Sequence, residues 1–189
     1  MGQRRVAKQT RELIFEAASK ILCEEGWKSL TLAAVAQAAG LSKGGLLYHF
    51  PNKVLLIEAL FEYHNDKFER RLEELTLAEG GEKGAWLRAY AKASVEQIVD
   101  PDTARLYSSL FAAEERYTTA HALMRQKYVN WQENVEQSGL DPAWATLVRL
   151  AVDGLWFTQM HQYAPLDATR RADIVDLILQ LTRGDEAEG

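Results

Sequence analysis

The chain is short of cysteine, proline and long apolar runs, and each shortage excludes a class of protein. A single cysteine, Cys23, cannot form an internal disulfide and suits a reducing, cytoplasmic setting. Its place in an apolar helical stretch reads as core filler. No run of about eighteen apolar residues exists, which excludes a membrane-spanning helix. The basic start, Met1-Gly2-Gln3-Arg4-Arg5, has no apolar stretch behind it and does not read as a secretory signal. The four prolines, Pro51, Pro101, Pro142 and Pro165, fall at breaks between helical patterns, and no period-two alternation predicts a strand. His49, His64, His121 and His161 are scattered without metal-ligand spacing, and neither a nucleophile elbow nor a phosphate-cradling glycine loop is present. The sequence therefore predicts an all-α chain with no catalytic residues, no metal and no cofactor.

What is present is ordinary in amount and uneven in distribution. With 189 residues, 47% hydrophobic and 26% charged, the chain is long enough for a substantial core. Its formal net charge is −5, which at first sight opposes nucleic-acid binding. Residues 1–53, however, hold eight Lys or Arg against four Asp or Glu, while residues 54–189 hold fourteen against twenty-three. A basic head on an acidic body is what phosphate binding asks of a small reading domain.

Helical patterns run almost end to end. Leu13, Ile14, Ala17, Ala18, Ile21 and Leu22 form a stripe at helical spacing in a first helix over 10–25, which Gly26 stops. Thr31 caps a second helix, with Leu30 and Val35 placed for a hydrophobic staple. A short third helix over 43–49 is followed by a long fourth over 52–77. Further helices are predicted over 85–99, 102–116, 118–138, 142–163 and 167–183. Pro142 suits a first helical position behind Asp141 as cap. The glycine-rich stretch 79–84 joins helices within one body, and a disordered tail is expected over 185–189. The functional boundary falls inside the fourth helix, giving a head over 8–68 and a body over 69–184.

The segment 31–50 carries most of the functional information. A capped helix ends at Gly40, where a left-handed backbone is easy only for glycine, and Ser42 then caps the next helix. This is the layout of a helix-turn-helix, whose second helix enters the major groove and meets base edges with its N-terminal residues. Those residues are Ser42, Lys43, Gly44 and Gly45. Lys43 suits guanine acceptors or a phosphate, and the two glycines allow the backbone close to the bases. Thr31 lies at another helix N-terminus, where free amides attract phosphate.

Residues 13–60 resemble the N-terminal domain of the TetR family of bacterial transcriptional repressors. The matching pieces are Ile14–Leu22 with Gly26-Trp27, Leu30-Thr31 with Val35-Ala36, Ala39-Gly40-Leu41-Ser42-Lys43-Gly44, and Tyr48-His49-Phe50 followed by Asn52-Lys53 and Leu56. The resemblance implies that Tyr48 and His49 lie against DNA and that Lys53 meets a phosphate. Thr31 and Lys53 would then position the head, while Lys43 and Tyr48 discriminate between sequences. Leu47 departs from the pattern, standing where family members often carry a DNA-touching aromatic; it either meets a thymine methyl or packs inward. His49 has an alternative reading as a buried, hydrogen-bonded histidine, and Arg4, Arg5, Lys8 and Arg11 read either as a phosphate-touching arm or as a flexible terminus.

The body is rich in aromatics, which either fill a core or line a ligand pocket between helices. The resemblance implies a small-molecule effector pocket, with Trp86, Tyr90, Phe111, Trp131 and Trp156 as its candidate lining. Glu114 and Glu115 are adjacent, so at most one carboxylate faces inward there. In the last two helices Leu147, Leu150, Ala151, Gly154, Leu155 and Thr158, with the stripe from Ile174 to Leu181, suit a four-helix homodimer interface. Two heads about 34 Å apart would match a palindromic operator in double-stranded DNA. The expectation is a ligand-released repressor; the alternative is a helical small-molecule-binding protein or an enzyme using the body's pocket.

Overall fold

The computed structural model describes the backbone of residues 2–114 and 118–183 and the side chains of residues 7–110 and 121–183. Among the described residues there are nine helices and no strand: α1 (Gly2–Glu25), α2 (Leu32–Ala38), α3 (Lys43–His49), α4 (Lys53–Ala78), α5 (Ala85–Val99), α6 (Pro101–Glu114), α7 (Thr118–Glu136), α8 (Pro142–Met160) and α9 (Ala168–Leu181). The all-α prediction holds. The tail over 185–189 and the side chains of Arg4, Arg5, Phe111, Glu114 and Glu115 lie outside the described residues.

Most helix starts are set by a side-chain oxygen. Thr31 accepts from the Ala34 amide at 3.1 Å, Ser42 from Gly45 at 3.0 Å, Asn52 from Leu55 at 2.9 Å, Asp141 from Trp144 at 2.9 Å and Asp167 from Arg170 at 2.8 Å. Each satisfies an amide that the helix itself leaves unpaired. Two boundaries differ from the sequence reading. α1 begins at Gly2 rather than near residue 10, so Lys8 as well as Arg11 sits on a helix. α8 ends at Met160 rather than 163, because Gln162 and Ala164 turn left-handed with φ of 57° and 49°, and the Tyr163 amide turns back to the Thr158 carbonyl at 2.9 Å.

The chain divides into two compact units. The first holds residues 1–66 and 105–122, and the second residues 67–104 and 123–189, so α4, α6 and α7 each contribute to both. In the first unit Ile14, Ala18, Leu22, Leu30, Val35, Leu46, Phe50, Leu56, Ile57 and Leu60 are buried. The Ser109 hydroxyl donates to the Leu22 carbonyl at 3.0 Å, and Ser19 Oγ pairs with His64 Nε2 at 2.8 Å. With seven residues α3 is too short to be stable alone. Leu46 inside it and Phe50 at its end are fully buried, each contributing about 2–3 kcal/mol of transfer free energy.

In the second unit α5 packs on α8 and α9. Its core includes Leu87, Tyr90, Trp131, Val135, Ala145, Val148, Val152 and Ile178. α8 also presents an outward apolar row: Leu147 is 57% exposed, Leu150 52% and Phe157 48%, with Ala151 and Gly154 exposed between them. Ile174 and Leu177 are exposed on α9, whereas Leu155 and Ile178 are buried within the chain.

Candidate nucleic-acid interface

The turn between α2 and α3 closes on a left-handed glycine. Gly40 is left-handed at φ 67°; its amide donates to the Gln37 carbonyl at 3.2 Å, and the Leu41 amide reaches back to Ala36 at 2.9 Å. This pair of bonds is a Schellman closure, which satisfies carbonyls at the end of α2 and reverses the chain into Ser42.

α3 has a buried side and an open side. Leu46 is buried, while Ser42, Lys43, Gly44 and Tyr48 are exposed. Tyr48 is 84% exposed, an unusual position for a large aromatic ring, and its ring meets that of His49 edge-on at 5.2 Å. A Cβ added to Gly44 would meet nothing within 4 Å, so the backbone is open on that side; one added to Gly45 would lie 3.3 Å from Ser42 Oγ. Leu47 and His49 are half-buried. The Arg11 guanidinium lies 4.7 Å from the centre of the Phe50 ring, placing a cation beside the C-terminal end of α3.

At the start of α4, Lys53 is half-buried against the loop between α1 and α2. Its Nζ donates to the Trp27 carbonyl at 3.4 Å and lies 5.3 Å from the centre of the Trp27 ring. Burial lowers the Lys53 pKa below the ordinary lysine value. Thr31 is exposed at the start of α2. Thus Thr31, Ser42, Lys43, Gly44, Gly45, Leu47, Tyr48, His49 and Lys53 all lie in the first unit, with Leu46 and Phe50 turned into its core.

The second unit holds an aromatic cluster. Trp86 and Tyr90 stack at 5.1 Å, and Tyr90, Trp131 and Phe68 lie 5.4–6.1 Å apart in pairs. Tyr128 meets Trp131 at 4.9 Å. Two carboxylates serve it: Glu69 accepts from Trp131 Nε1 at 3.0 Å and pairs with Lys127 at 3.1 Å, and Asp153 accepts from the Tyr90 hydroxyl at 2.6 Å and pairs with Arg149 at 2.6 Å. Burial pushes the Asp153 pKa up, against the opposing hydrogen bond from Tyr90 and the Arg149 charge. Burial, reinforced by the Asp153 charge, raises the Tyr90 hydroxyl well above its ordinary value. Trp156 stands apart, half-buried and donating to Gln97 Oε1 at 2.8 Å.

Residues 14–60 match the family model described as bacterial regulatory proteins, tetR family, and residues 84–183 match that of the tetracyclin repressor-like C-terminal domain. The chain belongs to the TetR family. It is a TetR-family transcriptional regulator with an N-terminal helix-turn-helix domain of the DNA-binding type. The HTH-type transcriptional regulator TtgR of Pseudomonas putida is 39% identical over 56 residues, a match covering 30% of this chain and only 27% of TtgR. The fold is shared with a transcriptional regulator from Rhodococcus sp. Rha1, at a TM-score of 0.75 and 19% identity over 91% of this chain and 95% of that one. It is shared also with the multidrug binding protein EbrR in complex with ethidium, at 0.69 and 20% over 92% and 98%. TetR-family membership names a class of regulators rather than of enzymes, and among the described residues no helix is long and apolar enough to cross a membrane.

Of the pocket candidates, Trp86, Tyr90 and Trp131 come together within this TetR-type body, while Trp156 does not join them. The sequence reading missed Phe68, Glu69, Arg149 and Asp153. The four-residue spacing from Arg149 to Asp153 was the available signal, since it puts both charges on one face of a helix.

Proposed function

We propose that the protein is a homodimeric repressor that binds a two-fold symmetric operator and is released by a small apolar or aromatic effector. The observation that carries this reading is the outward row Leu147, Leu150, Ala151, Gly154 and Phe157 on α8, beside Ile174 and Leu177 on α9. Large side chains alternate there with small ones, so a second copy of the same two helices can approach closely. An isologous interface of this kind carries two reading heads about a two-fold axis, and its operator is a palindrome.

Within each head, over 8–68, Thr31 and Lys53 hold phosphates, and Ser42, Lys43, Gly44, Gly45, Leu47, Tyr48 and His49 face the groove. The exposed Tyr48 ring and the open side of Gly44 support that assignment. The body, over 69–184, provides dimerisation and effector binding. Its Trp86–Tyr90–Trp131 cluster offers stacking faces of the kind an aromatic effector needs, and EbrR, of the same fold, has been crystallised with ethidium and with malachite green. The effector acts by preferring a dimer whose head spacing no longer fits adjacent grooves, which requires about 1–3 kcal/mol of coupling between the two sites.

The test is selection of genomic DNA fragments by the purified protein at near-physiological salt, with the mass of the complex measured on an enriched duplex. A palindrome bound by two chains, and a reporter behind it silenced by the protein, is the expected result. Enrichment of an asymmetric site bound by one chain overturns the homodimer reading, and activation of the reporter overturns repression.

A further inference from the structure

We infer that Trp27 is a positioning residue for DNA binding, holding the Lys53 ammonium at the edge of the head so that it meets a phosphate without a search; this rests on the reading of Lys53 as a phosphate contact. Lysine carries a four-carbon stem with many rotamers, and a contact made by a free lysine loses that freedom on binding. Here the loss has already occurred on folding. The Nζ is fixed from two directions by one residue, the Trp27 carbonyl at 3.4 Å and the Trp27 ring centre at 5.3 Å.

The arrangement leaves the contact usable. An ammonium has three N–H donors, and one of them is taken by the carbonyl. The ring face attracts the charge without consuming a directed acceptor, so donors remain for a phosphate oxygen. Lys53 is half-buried, so its ammonium has already shed part of its water and gives up less when a phosphate arrives. The place is suitable too: Lys53 is the first residue of a helix of 26 residues capped by Asn52, whose leading amides and dipole favour an anion. Trp27 sits where Gly26, left-handed at φ 78°, ends α1, so the backbone that reverses the chain also presents the clamp.

A double-mutant cycle between Trp27 and Lys53 tests this, using a labelled mixed-sequence duplex long enough for two adjacent major grooves, titrated at several salt concentrations. Lys53→Ala is expected to weaken binding and to lower the salt slope by about one charge per chain. Trp27→Leu, with Trp27→Met as a second variant that fills the slot without a π face, is expected to weaken binding about fivefold with Lys53 present and to have no effect in the Lys53→Ala background. Trp27→Phe, which keeps a ring over the ammonium, should restore most of the loss. Thermal unfolding of each variant identifies any that do not fold. Equal losses from Trp27→Leu or Trp27→Met in both backgrounds, or no loss beside a Lys53→Ala that does weaken binding, overturn the positioning role alone. Lys53→Ala binding like the unaltered protein overturns both this role and the phosphate reading beneath it.

Discussion

Arg88 Nη1 donates to the main-chain carbonyl of Thr182 at 2.8 Å, tying the first turn of α5 to the end of α9 across 94 residues of sequence. The guanidinium is 3% exposed; the same nitrogen also donates to the Lys83 carbonyl at 2.8 Å, and Nε donates to Glu79. One side chain thereby satisfies carbonyls that two chain reversals would leave bare. Arg88→Met should cost about 3–5 kcal/mol, because it leaves both carbonyls bare and removes one of the two cations, with Lys92, that hold the Glu79 carboxylate. Arg88→Lys keeps the charge without the fork and should cost less. Urea unfolding midpoints check both, and an unchanged midpoint for Arg88→Met would remove the residue from the stability of the body.

Gly84 is the neighbouring constraint. Its φ is +72°, and an added Cβ would stand 2.1 Å from the Thr182 carbonyl oxygen. Gly84→Ala therefore adds a backbone collision to left-handed strain and should destabilise by more than about 2 kcal/mol. Gly26 is the control: its φ is +78°, but nothing lies within 4 Å of an added Cβ. Gly26→Ala should cost only about 1 kcal/mol, the strain alone. Similar losses at the two positions in parallel thermal melts would mean that the Thr182 contact relaxes freely.

Two carboxylates give opposite pH dependence. Burial alone would raise Glu79, but hydrogen bonds from Arg88 and Lys92 outweigh it and hold the carboxyl below the ordinary glutamate value of 4.5. Its stabilising contribution is then complete above that value and disappears as pH falls through the lower, folded-state value. The penalty of Glu79→Gln should accordingly shrink in acid. Asp153 is raised, chiefly by burial, so its contribution is complete below the ordinary aspartate value of 3.8 and is lost as pH rises through the higher, folded-state value. Asp153→Asn should remove that decline. Unfolding midpoints measured across this acid range separate the two; parallel pH profiles for both variants would contradict the assignment.

Local signals made the head legible, and long-range packing hid the rest. Thr31, Ser42 and Asp141 act as caps as their positions in sequence suggested, because a cap bond spans three residues. Gly40 was readable because only glycine enters a left-handed turn without strain. By contrast, Tyr90 and Asp153 are 63 residues apart, and Lys53 and Trp27 are 26 apart. Nothing in either local pattern announces such a partner. The early end of α8 was hidden for a similar reason: Tyr163 continues the apolar pattern, but the backbone has already turned at Gln162.

Tyr48 offers a test that separates binding from folding. At 84% exposure its ring contributes little to the core, so Tyr48→Ala should change stability by no more than about 0.5 kcal/mol. Affinity for a selected duplex should nevertheless fall about tenfold, with sequence preference relaxed at the base pairs it meets. A uniform loss across all sequences would reassign Tyr48 to the phosphate backbone. A loss of stability would make it a packing residue instead.

The proposed homodimer makes its sharpest demand on the apolar row of α8. In an isologous interface each residue acts twice, once from each chain, so one substitution places two charges in the same buried seam. Leu147 and Leu150 are more than half exposed in the single chain, and neither belongs to its buried core. Leu147→Glu with Leu150→Glu should therefore leave the folded chain's stability nearly unchanged while converting the dimer to a monomer in sedimentation. The monomer retains one complete head, so bulk DNA binding should persist with a salt slope about half that of the dimer. Cooperative binding to a palindrome should disappear, because the two half-sites are then filled independently. A variant that remains dimeric would move the interface away from α8, and a variant that unfolds would show that these leucines belong to the core of the single chain.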